Sequence, residues 1–283
     1  MIDMTKRIGL VSRLDNREAL AKAKEIYEFI LSKKLTVMPE TKLAGLENWD
    51  GGCPISEMNA DLIVTVGGDG TVLRTCINIP KPDTPILSVN MGRRGYLTEV
   101  EPANAIKAVD GYLLGRHKLE DHSKLSVSLS NRWLADALNE ALVTSTSPSK
   151  MLRFSLRLDN RQLVECRADS VIVATPTGST AHAMSAGGPI LDNTLQAFVI
   201  VFVCSLEPIR PIVISSRSTL EISLLDERPE GEVILDGRYQ HRLYPRTPLR
   251  LRRSKNKAVF VRFETPLLSR SLQRLQPREV RVT

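Results

Sequence analysis

Cysteine is scarce in this chain and follows no pairing pattern: Cys53, Cys76, Cys166 and Cys204 are the four in 283 residues, with no Cys-x-x-Cys spacing. A disulfide framework and a structural zinc site are thereby excluded. With no signal-like segment at the start, reduced thiols and a cytoplasmic location are expected. Long apolar runs are missing as well. The longest, Ala197 to Cys204 (AFVIVFVC), falls far short of the roughly 20 residues that cross a bilayer, and its β-branched and aromatic content predicts a buried strand. Aromatics make up only 5% of the residues, which leaves little for base stacking, and the net charge of +7 is spread along the chain. The densest basic run, Arg246 to Lys257, alternates with apolar positions like the solvated face of a strand. Neither nucleic acid nor a membrane is therefore an expected partner, whereas a small anionic ligand fits the charge.

Two patterns of periodicity are present. From Arg7, short apolar runs (8–11, 35–37, 61–66, 85–89) alternate with helical windows at 17–33, after Thr71, and near 103–114; Asp15 with Glu18 predicts a capping box for the first helix. Such alternation predicts an α/β domain with a Rossmann-like parallel sheet, whose ligands sit beyond the carboxyl ends of the strands. After about Arg116 the pattern becomes short alternating strands, among them 124–129, 132–143, 153–158, 170–174, 198–203, 220–225, 233–235 and 249–253. The expected organisation is an α/β phosphate-donor domain over 1–115 and an all-β, sandwich-like domain over 116–265. A basic tail, 266–283, packs back on the first domain or frays. No repeat, low-complexity tract or Pro/Gly/Ser-rich linker interrupts this division.

Two segments carry the chemistry. Gly67-Gly68-Asp69-Gly70-Thr71 follows the apolar run 61–66 and opens a helix. Glycines let polyphosphate approach backbone N–H groups, and the helix start favours anions. Asp69 is the odd member, since a carboxylate among phosphate-binding amides points to proton acceptance or metal binding as well as grip; helix capping is the plainer alternative. The second segment, Thr175-Pro-Thr-Gly-Ser-Thr-Ala-His182 with Ala183-Met-Ser-Ala-Gly-Gly-Pro189, is dominated by hydroxyls and glycines. Pro176 and Gly178 predict a turn, and Thr177, Ser179 and Thr180 offer short donors. Upstream, Asn139-Glu140 lies within an otherwise apolar strand, where adjacent polar groups need a ligand, a bulge or a solvent-facing edge.

Taken in order, Gly-Gly-Asp-Gly-Thr at 67–71, Asn-Met-Gly-x-x-Gly-Tyr at 90–96, Asn-Glu at 139–140, Thr-Pro-Thr-Gly-Ser-Thr-Ala at 175–181 and Leu-Asp-Gly at 235–237 resemble the NAD kinase family, over residues 7 to 253. The resemblance implies an enzyme that transfers a phosphoryl group from ATP or polyphosphate to the 2′-hydroxyl of the adenosine ribose of NAD, giving NADP. It implies a divalent metal, Mg²⁺ above all, carried on substrate phosphates without a dedicated protein site. It also implies a homodimer or homotetramer with the active site between the two domains.

Carried over residue by residue, the resemblance makes Asp69 the general base and puts Gly67, Gly68, Gly70, Thr71 and Arg74 around the donor phosphates. Asn139 and Glu140 then bind the ribose, and Thr180, Ala181, His182, Ala183, Met184 and Ser185 form the strip that receives adenine and ribose. Asp169 corresponds to an acidic residue at the nicotinamide end, in some members supplied by a neighbouring subunit; Gly70, Arg74, Tyr96, Lys150 and Arg167 complete the NAD contacts. The chain departs from the family pattern at His182, where Tyr is usual and stacking area is larger. Further departures are Arg94 and Tyr96 for Leu and Phe, Ser170 for Gly, and Arg238 for Gln. A lipid or sugar kinase with the same glycine turn, or a nucleotide-binding module without catalysis, are the alternatives.

Overall fold

The computed structural model describes residues 6–92 and 95–263; Arg94 and the tail 266–283 lie outside them. Two compact units are present, the first formed by the chain up to Asp121 together with residues from Ala258 onward, the second by His122–Lys257.

In the first unit, β1 (Arg7–Ser12), β2 (Thr36–Pro39), β3 (Leu62–Gly67) and β4 (Pro85–Asn90) form a parallel sheet in the order β2-β1-β3-β4. Every residue of β3 is buried, as a central strand covered on both faces requires. Helices α1 (Arg17–Ser32), α2 (Thr41–Glu47), α3 (Asp69–Asn78) and α4 (Ala105–Leu113) connect or flank the strands. On α1, Ala19, Ala23, Ile26 and Ile30 fall on one buried face. Its cap differs from the expected one: Asn16, in extended backbone, accepts the Ala19 N–H at 2.9 Å, while the Asp15 carboxylate is engaged by Arg13. Helix α2 has no counterpart in the sequence reading.

The second unit is built of antiparallel sheets. One runs in the order β12-β11-β10-β7-β14-β15, from β7 (Glu140–Ser145), β10 (Ser170–Ala174), β11 (Ala197–Val203), β12 (Ile212–Ser215), β14 (Gly231–Leu235) and β15 (Tyr239–Leu243). The other joins β8 (Leu152–Leu158), β9 (Arg161–Ala168), β13 (Leu220–Leu224) and the first part of β16 (Leu249–Arg262), and the hairpin of β5 (Lys118–Leu129) with β6 (Arg132–Ala137) accompanies it. The apolar run at 197–204 is the buried strand it was expected to be. An α/β unit followed by an all-β unit is the predicted fold class. One correction concerns the strand expected over 132–143: it is two strands, broken at Leu138-Asn139, so Asn139 sits at the break and Glu140 opens β7. A second concerns β16, which continues well past Arg253; its end, Val259 and Phe260, pairs in parallel with Pro85 and Ile86 of β4.

Candidate functional site

In the first unit the glycine turn stands at the carboxyl end of β3, where an open parallel sheet presents ligands. Gly67 is the last strand residue, and a Cβ there would collide with the Thr71 hydroxyl. Gly68 is the N-cap of α3, and Asp69 and Gly70 are its first two residues. The neighbouring strand ends are tied to the turn: Arg13 N–H donates to Val66 at 2.8 Å and Met91 N–H to Gly67 at 2.9 Å. Both oxygens of Asp69 accept backbone amides, from Tyr96 at 2.8 Å and from Leu97 at 3.0 Å. Two amides on opposite oxygens fix the orientation of the Asp69 carboxylate. Thr71 is buried. Arg74 turns to Glu40 and to the Ser12 carbonyl.

In the second unit three of the sequence motifs meet. The Leu138-Asn139-Glu140 break, the Thr175–Ala181 loop and the turn after β14 are joined by short hydrogen bonds. Asp236 Oδ2 accepts Leu138 N–H at 2.7 Å, and its Oδ1 accepts Asn139 N–H at 2.7 Å and Glu140 N–H at 3.1 Å. Thr175 lies across the break: its hydroxyl donates to the Leu138 carbonyl at 2.6 Å and its N–H to the Asn139 carbonyl at 2.9 Å. Gly178 passes so close to the Asn139 carbonyl that any Cβ would overlap it. That approach explains the glycine in the loop.

Electrostatics at this junction are unusual. Glu140 is buried, its Oε2 has no hydrogen-bond partner, and its carboxyl is pushed up to about 8, first by burial and then by the charge of Asp236. Burial pushes Asp236 up too, against its three amides and the nearby Lys124. Burial acts on both carboxyls; three amides oppose it at Asp236, whereas the charge of Asp236 adds to it at Glu140. Lys124, itself buried, supplies the balancing charge.

The hydroxyls of the loop are occupied in a way the sequence reading did not foresee. Ser179 donates to Pro176 at 2.6 Å and Thr180 to Thr177 at 3.1 Å, while Thr177 Oγ1 meets His122 Nδ1 at 2.9 Å. They build the loop. Beyond it a short helix, α5 (His182–Ser185), exposes His182 and Ser185, half-buries Met184 next to half-buried Ala181, and sinks Ala183 into a core with Ile172, Ala174, Val199 and Val201. Ala183 thus packs rather than faces a ligand. Lys150 is exposed in the β7–β8 connection; exposed Arg167 lies near the end of β9 and half-buried Asp169 directly before β10, whereas Glu140 pairs with Ala174 at the far end of β10. The five steps from Asp169 to Ala174 span about 17 Å at ~3.3 Å each, so one chain does not bring Asp169 to its Asn139–Glu140 break.

Sequence reasoning gave Thr175 and Asp236 no role, although both stand inside motifs it singled out. A buried carboxylate directly before glycine in a hairpin turn was the available signal. Among the described residues no group of three or more His, Cys, Asp or Glu could hold a metal ion, and no helix is long and apolar enough to cross a membrane. The four cysteines are free.

Comparison with known proteins gives one answer throughout. Residues 8–117 match the model of the ATP-NAD kinase N-terminal domain, and residues 138–263 that of the ATP-NAD kinase C-terminal domain. An NAD kinase of Methanothermobacter thermautotrophicus is 39% identical over 259 residues, covering 90% of this chain and 91% of its own. The crystal structure of an NAD kinase from Archaeoglobus fulgidus in complex with ATP is similar at TM-score 0.77 and 28% identity, covering 95% of this chain and 99% of its own. Yeast NADH kinase complexed with NADH shares the fold at TM-score 0.87 and 20% identity, covering 99% of this chain and 90% of its own. With both domain models matched in order, and a relative of this identity aligned over 90% of the chain, the chain belongs to the ATP-NAD kinase family.

Proposed function

We propose that this chain transfers the γ-phosphate of ATP, or a phosphoryl group from polyphosphate, to the 2′-hydroxyl of the adenosine ribose of NAD, with Asp69 as general base. It is an NAD kinase, and its product is NADP. The observation that carries the assignment of Asp69 is its place at the first turn of α3, after a glycine turn at a strand's carboxyl end, with both oxygens oriented by amides. Phosphoryl transfer runs through a loose transition state, so positioning and charge neutralisation dominate. Gly67, Gly68, Gly70 and Thr71 form the donor-phosphate turn; Asp69 accepts the 2′-proton as the oxygen–phosphorus bond to the ribose forms and the bridging bond to the leaving ADP, or to the shortened polyphosphate, breaks.

Asn139 and Glu140 hold the ribose. A protonated Glu140 donates a hydrogen bond through an oxygen that has no partner within the protein, which is a role for a neutral carboxyl that an ionised one could not fill. His182, Met184, Ser185, Ala181 and Thr180 line the adenine and ribose strip, and Tyr96 contributes beside Asp69. Asp169 serves the nicotinamide end of a second copy's NAD in a homo-oligomer, which fits its distance from Glu140 along β10, and Arg167 and Lys150 are further NAD contacts. A divalent cation delivered on the donor phosphates suits a glycine turn at a helix start with one carboxylate, Asp69, beside it. Mg²⁺ bound with the donor phosphates supplies charge neutralisation there. The location consistent with free thiols and with these substrates is the cytoplasm.

The deciding experiment incubates the purified chain with NAD, Mg²⁺ and either ATP or polyphosphate and measures NADP. Formation with either donor is the expected result; protein that binds both substrates yet yields no NADP would leave only a nucleotide-binding module.

A further inference from the structure

The polar main-chain groups of Leu138, Asn139 and Glu140 are all held by two residues. Asp236 accepts the three N–H groups and returns its own N–H to the Glu140 carbonyl at 3.0 Å, while Thr175 donates to the carbonyls of Leu138 and Asn139. Asp236 is 4% exposed and Thr175 fully buried. Burying a carboxylate is costly unless its hydrogen bonds are complete, and here they are completed by one short stretch of chain.

A turn residue alone would not need this carboxylate. Asp236 and Gly237 both have positive φ, 50° and 63°, and Arg238 N–H closes on Leu235 at 2.9 Å, the pattern of a type I′ turn. Asn serves that turn as well as Asp does. What Asn lacks is a second acceptor oxygen, and its amide would aim a donor at donors.

We infer that Asp236 and Thr175 are positioning residues for dinucleotide recognition, a two-sided clamp that sets the backbone from which the Asn139 and Glu140 side chains reach NAD. The inference rests on the ribose-binding reading of those two residues. Neither clamp residue takes part in phosphoryl transfer, so affinity for NAD depends on them and the chemical step does not.

The test uses the full chain with Asp236→Asn, Thr175→Val and Thr175→Ser. Steady-state kinetics should show KM for NAD raised about tenfold or more in the first two, with kcat at saturating NAD and KM for ATP within about threefold of wild type. Thr175→Ser, which keeps the hydroxyl, should restore NAD affinity. Loss of kcat in proportion to misfolded protein, with KM for NAD unmoved, overturns the inference. Should Asp236→Asn fail to fold, equal NAD affinity in the Val and Ser variants at 175 overturns it. Calorimetric titration with NAD keeps this apart from the activity. Wild type that binds NAD but makes no NADP sinks the kinase reading alone, and equal Kd for wild type and Thr175→Val sinks the clamp alone. Wild type that binds no NAD sinks both.

Discussion

Arg74 grips Glu40 with both terminal nitrogens: Nη2 lies 2.9 Å from Oε2, and Nη1 is hydrogen-bonded to Oε1. The Glu40 side chain is only 7% exposed, and Arg74 Nη2 also reaches the Ser12 carbonyl at 3.1 Å. The guanidinium therefore ties α3 to the ends of β1 and β2. Removing one partner strands the other charge in a buried place, which typically costs about 3–5 kcal/mol. Arg74→Ala should lower unfolding free energy by about that amount in a urea titration; a variant of unchanged stability that loses only substrate affinity would make Arg74 a ligand contact instead.

For Asp69, replacement by Asn preserves size but removes the proton acceptor. NADP formation should fall by about 10²- to 10⁴-fold, the usual value of general-base assistance, while NAD binding stays within about threefold. Turnover near that of wild type would remove Asp69 from the chemistry.

Glu140 makes stability depend on pH. Its carboxyl is raised from an ordinary 4.5 to about 8, so between those values the folded chain keeps a proton that the unfolded chain has released. Stability from this group is complete below the unfolded value and declines as pH rises toward 8, by at most about 1.4 kcal/mol per unit. The charge that acts on it is that of Asp236, on which Lys124 acts in turn. Glu140→Gln should abolish the decline, so the variant's advantage in denaturant midpoint should grow from pH 5 to pH 8. A constant difference across that range would show that Glu140 is ionised throughout.

His182 is exposed on α5, where a larger ring has room. Tyr at this position adds stacking area worth about 0.5–1.5 kcal/mol against an adenine ring. His182→Tyr should lower KM for NAD by about two- to tenfold and leave KM for ATP unmoved. An unchanged or higher KM for NAD would take position 182 out of the adenine strip.

The parallel half was legible because its strands are short, mostly apolar and separated by periodic helices; α1 was expected over 17–33 and occupies Arg17–Ser32. Its cap was misread because Asp15 is drawn away by Arg13, a contact that no helix-start pattern encodes. The polar pair at 139–140 suggested a ligand, a bulge or an edge within one strand; that the strand ends there was not legible, because the break is stabilised from positions 175 and 236, far along the chain. Residues 254–257, polar and basic, masked the continuation of β16 into a buried stretch whose register is set by β4. The site motifs could be read from local chemistry. Their mutual hydrogen bonds could not, since each joins residues tens of positions apart.

The return of β16 to β4 gives the amino-terminal fold an unusual dependence on the end of the chain. Its sheet is completed by residues 259 and 260, which leave the ribosome long after the strands they flank. A fragment stopping at Asp121 would present β4 as a bare edge, open to pairing with other chains. Synthesis must therefore reach residues 259 and 260 before the glycine turn and Asp69 rest on a finished platform.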